Sequence, residues 1–214
     1  MRKRIIKVII GVVVVIGLGF AGIFAAIFAS MQPTEGTRIP GYENPQTALL
    51  VVDIQEDFTG VNAKKPYKDG SRIVAVTNEL LARDYRVVYV QNIVDNALFR
   101  FLAGGLNAPG ASGTEMDHRL LRVSGAPTVT KNRADAFSNP KLDEYLGSLR
   151  VNHVIIIGLD AAYCINATLQ GALNRGYKVT VATSGIATES GKSLSDLYRA
   201  WQKLGIDVVD MPVI

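Results

Sequence analysis

Short apolar runs alternate with segments of helical periodicity along most of the chain. Runs rich in β-branched residues predict strands at residues 47–53, 86–91, 127–131, 154–157, 177–183 and 206–209. Apolar positions at helical spacing predict helices at residues 71–83, 115–123, 139–149, 159–176 and 190–204. Strands that are apolar on both faces and alternate with helices form a mostly parallel sheet covered by helices. The pattern therefore predicts one α/β domain over residues 47–214.

A different pattern precedes this domain. Residues 8–29 contain no charged side chain, and an apolar stretch of this length, about 20 residues, can cross a bilayer as a helix. The basic cluster in residues 2–7 predicts a cytoplasmic N-terminus, with the domain on the far side of the membrane. We therefore expect a single-pass membrane anchor at residues 1–30 and a linker at residues 31–46. The alternative is a signal peptide cleaved near Ala29, which would leave a secreted protein.

The charge balance bears on the class of partner. The chain of 214 residues has a formal net charge of +4, and the basic cluster before residue 8 supplies all of it. Four of the 23 basic residues lie in that cluster, which leaves 19 basic and 19 acidic side chains in the rest of the chain. A neutral domain without a basic patch gives no support for nucleic-acid binding.

Three reactive side chains follow three of the predicted strands. Asp53 ends the first strand, Lys131 ends the third, and Cys164 lies after the fourth, in the first turn of a predicted helix. The carboxyl ends of parallel strands share one edge of a sheet, so the three side chains can converge there. Each also has an ordinary structural interpretation, as a turn cap, a surface charge and a small buried thiol.

If the three side chains meet at one edge of the sheet, they supply the groups that acyl transfer requires. The helix N-terminus and the Lys131 ammonium group favour a thiolate at Cys164, the only cysteine of the chain. A partly buried Asp53 carboxylate can accept the thiol proton and later donate it to a leaving amine. Backbone N–H groups in the turn before Cys164 can stabilise the tetrahedral oxyanion. The sequence thus predicts a thioester intermediate on the cysteine.

Three motifs carry a family resemblance. They are LVVDIQEDF at residues 50–58, TKNRADAF at residues 130–137 and GLDAAYCINAT at residues 158–168. Together and in this order, they resemble the isochorismatase-like cysteine hydrolase superfamily over about residues 46–210. The resemblance implies a Rossmann-like three-layer α/β sandwich with a six-stranded, mostly parallel sheet. It also implies that the three reactive side chains form a catalytic triad.

The resemblance implies further site residues. It implies a cis peptide bond between Leu159 and Asp160, with the backbone N–H groups of Asp160 and Cys164 as oxyanion donors. The side chains that it implies in or beside the substrate pocket are Phe58, Phe137, Gln55 and Tyr163. The long, glycine-rich connection at residues 92–112 is typical of a binding loop or a lid. Family members usually self-associate, so we expect a homo-oligomer that acts on a small-molecule substrate.

Two departures from related enzymes narrow the expected reaction. Residues 91–100, after the second strand, lack the histidines that form a metal site in nicotinamidases of the superfamily. We therefore expect no catalytic metal and no cofactor. Cys164 is retained, whereas members that cleave the vinyl ether of isochorismate replace it. This favours hydrolysis of a C–N bond in an amide, a ureide or a similar group.

Two other functions stay open on the sequence alone. One is an isochorismatase-type vinyl-ether hydrolase that works without a thioester. The other is a non-catalytic anchored binding module, suggested by the apolar N-terminal stretch and by Ser184-Gly185, which replaces an acid-alanine pair at the fifth strand. Distances of more than about 6 Å from the thiol to Asp53 and Lys131 would favour this module, because charges that far apart tune a pKa weakly.

Overall fold

A parallel sheet forms the centre of the computed structural model, which describes residues 17–19 and 21–211. Its strands are β1 (Gln46–Val52), β2 (Arg86–Asn92), β3 (Thr128–Lys131), β4 (Val151–Gly158), β5 (Lys178–Ile186) and β6 (Asp207–Val209). They pair in parallel in the order β3-β2-β1-β4-β5-β6. The predicted six-stranded, mostly parallel sheet is therefore confirmed.

Helices cover both faces of this sheet. They are α1 (Gly70–Leu81), α2 (Ala97–Leu102), α3 (Pro140–Ser148), α4 (Asn166–Asn174) and α5 (Leu194–Lys203). α1 packs on one face, and α3, α4 and α5 pack on the other. The short α2 lies in the long connection between β2 and β3. The result is the layered arrangement of a Rossmann-like α/β domain.

The β1 strand shows why the sequence folds in this way. Leu49 and Val51 belong to the core under α1, whereas Leu50 and Val52 belong to the core under the opposite helices. All four side chains are fully buried, as expected for a run that is apolar on both faces. The strand order reverses between β1 and β4, and open α/β sheets bind ligands beside the carboxyl ends of the strands at such a point.

The structure differs from the prediction at residues 115–123, which do not form a helix. A short 3-10 turn (Ser112–Thr114) leads instead into an irregular segment. The buried Asp117 carboxylate in this segment accepts hydrogen bonds from the side chains of Thr59 and Arg119. Because burying a carboxylate requires such partners, its contacts prevail over the helical spacing of the apolar residues.

Part of the predicted membrane anchor lies outside the described residues. Of the predicted span at residues 8–29, residues 8–16 and residue 20 are among those that the structure does not describe. Residues 21–30 are helical. Within residues 17–19 and 21–211, no helix has both the length and the apolar character needed to cross a bilayer.

The predicted linker at residues 31–46 is fastened to the α/β domain. Thr34 donates through its backbone N–H and its hydroxyl group to Oδ2 of the buried Asp135, at 2.7 and 2.6 Å. The buried Arg175 donates to the carbonyl oxygens of Thr34 and Glu35, at 3.1 and 3.0 Å. Charge-assisted hydrogen bonds of this kind are strong, so the segment follows a defined path across the domain.

Candidate active site

The ends of three strands bring the three reactive side chains together. Asp53 directly follows β1, and Lys131 is the last residue of β3. Cys164 lies in a π-helical turn (Ala161–Ile165) between β4 and α4. β2 separates β3 from β1, and the long Lys131 side chain crosses this gap to reach Asp53. The shared edge of the parallel sheet thus gives the juxtaposition that the sequence suggests.

The Lys131 ammonium group has three donors and three partners. It donates to Oδ2 of Asp53 at 2.9 Å, to Sγ of Cys164 at 3.2 Å and to the carbonyl oxygen of Arg133 at 3.2 Å. Burial opposes its charge, but the negative charge of Asp53, joined by that of Cys164 once the thiol ionises, outweighs burial and raises the pKa of Lys131. The lysine is therefore a permanent cation that holds the acid and the sulfur in place.

Asp53 combines an unusual backbone conformation with an unpaired oxygen. Its φ of 57° lies in the left-handed region, which costs a non-glycine residue about 1–3 kcal/mol. Oδ2 accepts from Lys131, but Oδ1 is buried and has no hydrogen-bond partner among the described residues. Leaving a buried acceptor unpaired lowers stability. In return, one carboxylate oxygen stays free to take a proton.

The surroundings of Cys164 keep it protonated. Burial, and then the charge of Asp53, raise the pKa of Cys164 to about 12, although Lys131 acts in the opposite direction. The sequence led us to expect a thiolate favoured by the lysine and by the helix N-terminus. The structure instead favours the protonated thiol, because burial and the Asp53 carboxylate outweigh the effect of Lys131. The sulfur therefore has to lose its proton during any reaction with an electrophile.

Gly158 sets the direction of the turn that leads to Cys164. Its φ is +124°, and a Cβ atom built there would lie 1.9 Å from the carbonyl oxygen of Val52, so only glycine fits. We expected a cis peptide bond between Leu159 and Asp160. This bond is trans, and the described residues contain no cis peptide bond. The positive φ of Gly158 turns the chain, and trans is the lower-energy form before a non-proline residue.

The Asp160 carboxylate holds this turn in place. It accepts hydrogen bonds from the backbone N–H groups of Ala162 at 2.8 Å and of Glu189 at 2.9 Å. It also accepts from the hydroxyl groups of Thr188 at 2.9 Å and of Tyr67 at 3.1 Å. Burial, and then the charge of Asp160, raise the pKa of Tyr67, so the phenol stays a donor. Sequence reasoning missed Tyr67 and Thr188 because neither lies in one of the three motifs.

A cleft of about 380 Å³ opens above Cys164. Tyr163, one of the predicted pocket residues, lines it. Helix α2, the ends of β2 and β3, and the helix at residues 21–30 supply most of the other walls. Clefts of this volume hold small-molecule ligands. The cleft is therefore the place where a substrate can meet the sulfur.

The two phenylalanines that were predicted to line the pocket pack elsewhere in the protein. Phe137 is buried in the core, where its ring centroid lies 5.6 Å from that of Tyr177. Phe58 packs edge to face against Tyr67, with the ring centroids 5.9 Å apart. Neither side chain lines the cleft above Cys164. The motif positions thus serve packing here, because aromatic side chains bury large apolar surfaces.

Gln55 supports the site from within the protein and does not line the cleft. Its side chain is fully buried, and its amide oxygen accepts from the backbone N–H of Asn92 at 2.9 Å. Its amide nitrogen donates to the carbonyl oxygens of Asn92 at 3.0 Å and of Thr114 at 2.6 Å. These bonds fix the end of β2 relative to the loop that follows β1.

The histidines and acids of the described residues form no metal centre. Within residues 17–19 and 21–211, no group of three or more His, Cys, Asp or Glu side chains is arranged to hold an ion. His118 lies at the surface beside Glu56 and Glu115. His153 is half-buried in β4 and contacts Thr47.

A thiol, a lysine and a carboxylate lie together at the carboxyl edge of a parallel α/β sheet. These groups have the chemistry of a hydrolase site. Residues 47–211 match the Isochorismatase domain family, so the chain belongs to the isochorismatase family. This match begins in β1 and ends after β6, and it covers the whole α/β domain.

Proteins similar to this chain include hydrolases. The chain is 30% identical over 151 residues to streptothricin hydrolase of Streptomyces noursei, a match that covers 67% of this chain and 55% of that protein. The chain thus spans little more than half the length of this relative. It is 26% identical over 146 residues to the uncharacterised isochorismatase family protein YddQ of Bacillus subtilis, which covers 66% of this chain and 78% of YddQ.

Solved structures share the fold. The crystal structure of N-carbamoylsarcosine amidase from Thermoplasma acidophilum matches with a TM-score of 0.69 at 22% identity. The match covers 79% of this chain and 98% of that one. The likeness extends over almost the entire amidase, so the two proteins have the same overall architecture.

Proposed function

We propose that this protein is a cysteine hydrolase that cleaves a C–N bond of a small amide or ureide through a thioester on Cys164. The observation that carries the proposal is the Lys131 ammonium group, which bonds Asp53 and Cys164 at once, at 2.9 and 3.2 Å. Membership of the isochorismatase family supports a hydrolase, as do the names of the relatives.

In the first half-reaction, Sγ of Cys164 attacks the carbonyl carbon of the substrate. The thiol proton passes to Asp53, whose buried Oδ1 has no other hydrogen-bond partner among the described residues. The tetrahedral intermediate then collapses, the C–N bond breaks, and Asp53 returns the proton to the leaving nitrogen. The acyl group stays on the sulfur as a thioester, and an amine or ammonia departs.

In the second half-reaction, water attacks the thioester carbon. Asp53 takes a proton from the water and gives it to the departing sulfur, so the free acid and the Cys164 thiol are restored. Lys131 moves no proton in either step, because its raised pKa keeps it charged. Its role is to orient Asp53 and to stabilise the transient thiolate.

The oxyanion needs donors that are already in position before the attack. The backbone N–H of Asp160 suits this role, because it donates no hydrogen bond within residues 17–19 and 21–211. The N–H of Cys164 belongs to the same turn and is the second proposed donor. The bonds that the Asp160 carboxylate accepts keep this turn rigid.

The test combines turnover with trapping of the intermediate. The full-length chain is screened against small amides and ureides, with ammonia release as the readout. An active substrate should yield an acyl adduct in the intact mass after rapid acid quenching, and the Cys164→Ala variant should lose both adduct and turnover. Full activity of Cys164→Ala would overturn the proposal.

The same measurements separate the alternatives. A vinyl-ether hydrolase would turn over its substrate without an acyl adduct. A non-catalytic module would turn over none of the compounds. The 3.2 Å contact between Lys131 and the Cys164 sulfur argues against the module, which we linked to distances of more than about 6 Å from the thiol.

We also propose that the uncharged stretch at residues 8–29 anchors the protein in a membrane, with the N-terminus cytoplasmic and the α/β domain on the far side. The end of this stretch, from Ile27 to Ala29, then lies beside the cleft. The support is the length of the uncharged stretch and the basic cluster before it. Carbonate-resistant association of the full chain with membranes, together with an intact N-terminus in its mass, would agree with this. A mature N-terminus after Ala29 and release from the membrane would indicate a cleaved signal peptide instead. Light scattering of the purified chain would test the expected self-association.

A further inference from the structure

The cleft above Cys164 has polar and apolar walls of different origin. Three of its polar side chains lie at the ends of β2 and β3, next to the triad: Asn92, Asn132 and Arg133. Its large apolar side chains come from α2 and from the segment before the α/β domain: Phe99, Leu102, Ile27 and Met31. A ligand that matches both walls has a polar end at the sulfur and an apolar arm between the two helices.

The N-terminal wall is attached to the strand end that carries Lys131. The backbone N–H of Ala134 donates to the carbonyl oxygen of Ser30 at 2.9 Å. The Arg133 guanidinium group donates to the carbonyl oxygen of Ala29 at 2.8 Å. The wall therefore has a fixed position relative to the catalytic lysine, and it can shape the space that a substrate enters.

The walls leave apolar surface uncovered. On the α2 side, Phe101 is 81% exposed and Leu102 is 59% exposed. On the N-terminal side, Phe24 is 74% exposed and Phe28 is 60% exposed. Leu102 also lines the cleft, and exposed apolar side chains beside a cavity are typical of a binding region. The helix on the N-terminal side, at residues 21–30, includes the last part of the uncharged stretch at residues 8–29.

Arg133 adds a positive charge to the lining of the same cleft. Its Nη2 donates to the carbonyl oxygen of Ala29. A cationic donor forms strong hydrogen bonds with oxygen acceptors. The polar end of the cleft is thus suited to a carbonyl-containing head group.

We infer that the substrate is an amphiphilic amide, with its scissile carbonyl group at Cys164 and an apolar arm held between α2 and the helix at residues 21–30. This inference rests on the proposed function, because the ligand is a substrate only if the protein is a hydrolase. Binding of the apolar arm can nevertheless be measured without turnover. A small amphiphile suits the cleft, because large apolar side chains and Cys164 line the same cavity of about 380 Å³.

The experiment uses the single thiol of the chain as the reporter. The full-length protein is alkylated at pH 9 with N-methyl and N-hexyl chloroacetamide, and the mass of the adduct at Cys164 is followed over time. Each rate constant is divided by that for free cysteine, which removes the intrinsic reactivity of the reagent. We expect the N-hexyl reagent to react at least about tenfold faster, since each buried methylene group favours binding.

Two cleft variants and one matched control locate the effect. Ile27→Asn and Leu102→Asn should each bring the ratio of the two rates toward one. Leu204→Asn, at an exposed apolar residue after α5, should leave the ratio at the wild-type value. Thermal melts of all three variants check that they are folded, and the two cleft variants lie on different walls, so one misfolded variant does not remove the test.

The outcomes are distinct from those of the proposed function. A ratio near one in the wild-type chain, or a ratio that both cleft variants leave unchanged, would overturn the inference even if short amides are hydrolysed. A ratio that depends on Ile27 and Leu102, in a protein that hydrolyses no amide, would uphold recognition of the amphiphile and overturn the proposed function.

Discussion

The ammonium nitrogen of Lys131 lies 2.9 Å from Oδ2 of Asp53, and both side chains are buried. Removing one member of a buried ion pair leaves the other charge without compensation, which typically costs about 3–5 kcal/mol. We therefore expect Lys131→Met to lower the free energy of unfolding by about this amount. Urea unfolding followed by circular dichroism measures the change.

An exposed ion pair provides the matched control. Lys178 lies 3.2 Å from Asp207, and the two side chains are 64% and 50% exposed. Lys178→Met should lower the free energy of unfolding by no more than about 1 kcal/mol, because water already screens that pair. Equal losses in the two variants would mean that the buried pair contributes no more than a surface pair.

The Asp53→Asn variant separates acid-base chemistry from the reactivity of the thiol. The Asp53 charge helps to raise the pKa of Cys164 to about 12, second only to burial, so removing the charge should lower that pKa. Alkylation of Cys164 by iodoacetamide at pH 9 should then become faster, by about tenfold for each unit that the pKa falls. Hydrolysis should nevertheless fall by at least about a hundredfold, because the general base is gone.

Faster alkylation together with slower hydrolysis is the result expected from loss of the Asp53 charge. A thermal melt of the variant must match that of the wild-type chain, because a disturbed fold would also expose the sulfur. Asp196→Asn, in an exposed pair with Arg199, should change neither rate. Slower alkylation in Asp53→Asn would contradict the effect that we assign to its carboxylate.

The pH dependence of alkylation follows from the same argument. A thiol reacts through its thiolate, and an ordinary cysteine has a pKa of about 8.5. The alkylation rate constant of wild-type Cys164 should therefore continue to rise at pH values well above 8.5. In Lys131→Met the rate at a given pH should be lower still, because the lysine opposes the increase in the pKa of Cys164. Intact-mass labelling over pH 7–10 measures both trends, and a rate that levels off near pH 8 in the wild-type chain would exclude this environment.

Much of the architecture could be predicted from local patterns. The run that became β1 is apolar at every inner position, so only a strand buried on both faces fits it. The positions of Asp53, Lys131 and Cys164 after predicted strands suggested one shared edge, because parallel strands have all their carboxyl ends on the same side. Local sequence carries this information where a strand ends with its apolar run, as β1 does at Val52.

Contacts between distant loops could not be predicted in this way. The bond from Tyr67 to Asp160 joins residues 93 positions apart, and nothing periodic in the sequence marks it. The same holds for the wall that Ile27 and Met31 place over the cleft, which the sequence led us to assign to an anchor and a linker. The reversal of the expected thiolate at Cys164 likewise depends on burial, which follows from packing in three dimensions.

Gly158 offers a test of the turn that positions the sulfur. A Cβ at this residue would lie 1.9 Å from the carbonyl oxygen of Val52, and the φ of +124° is unfavourable for any other residue. Gly158→Ala should therefore lower the melting temperature strongly, by more than about 10 °C. Gly105→Ala is the control, because its φ is +78° but no atom lies within 4 Å of the added Cβ. A similar decrease in both variants would show that backbone strain alone, without the clash, explains the effect.

The Tyr67 hydroxyl group is expected to act by positioning the oxyanion turn through Asp160. Tyr67→Phe removes one hydrogen bond to a carboxylate, which is worth about 1.5–3 kcal/mol, so kcat should fall by roughly tenfold or more while KM changes little. Thr188→Val removes the other hydroxyl donor and should act in the same direction. Steady-state kinetics on the amide found in the screen measures the effect. An increase in KM at constant kcat would place Tyr67 in substrate binding instead.

The path of the N-terminal segment gives the last prediction. Arg175 donates to the carbonyl oxygens of Thr34 and Glu35, and hydrogen bonds from a charged donor are worth about 1.5–3 kcal/mol each. Arg175→Met should therefore release residues 31–39, and trypsin should cut after the exposed Arg38 at least about tenfold faster, since cleavage follows the population of the open form. The appearance of the fragment that begins at Ile39, followed by mass spectrometry, measures this rate. Arg199→Met, at an exposed arginine, should leave the rate unchanged. If Arg38 were cut equally fast in all three proteins, the segment would open regardless of these bonds, and it could not hold a wall in place over Cys164.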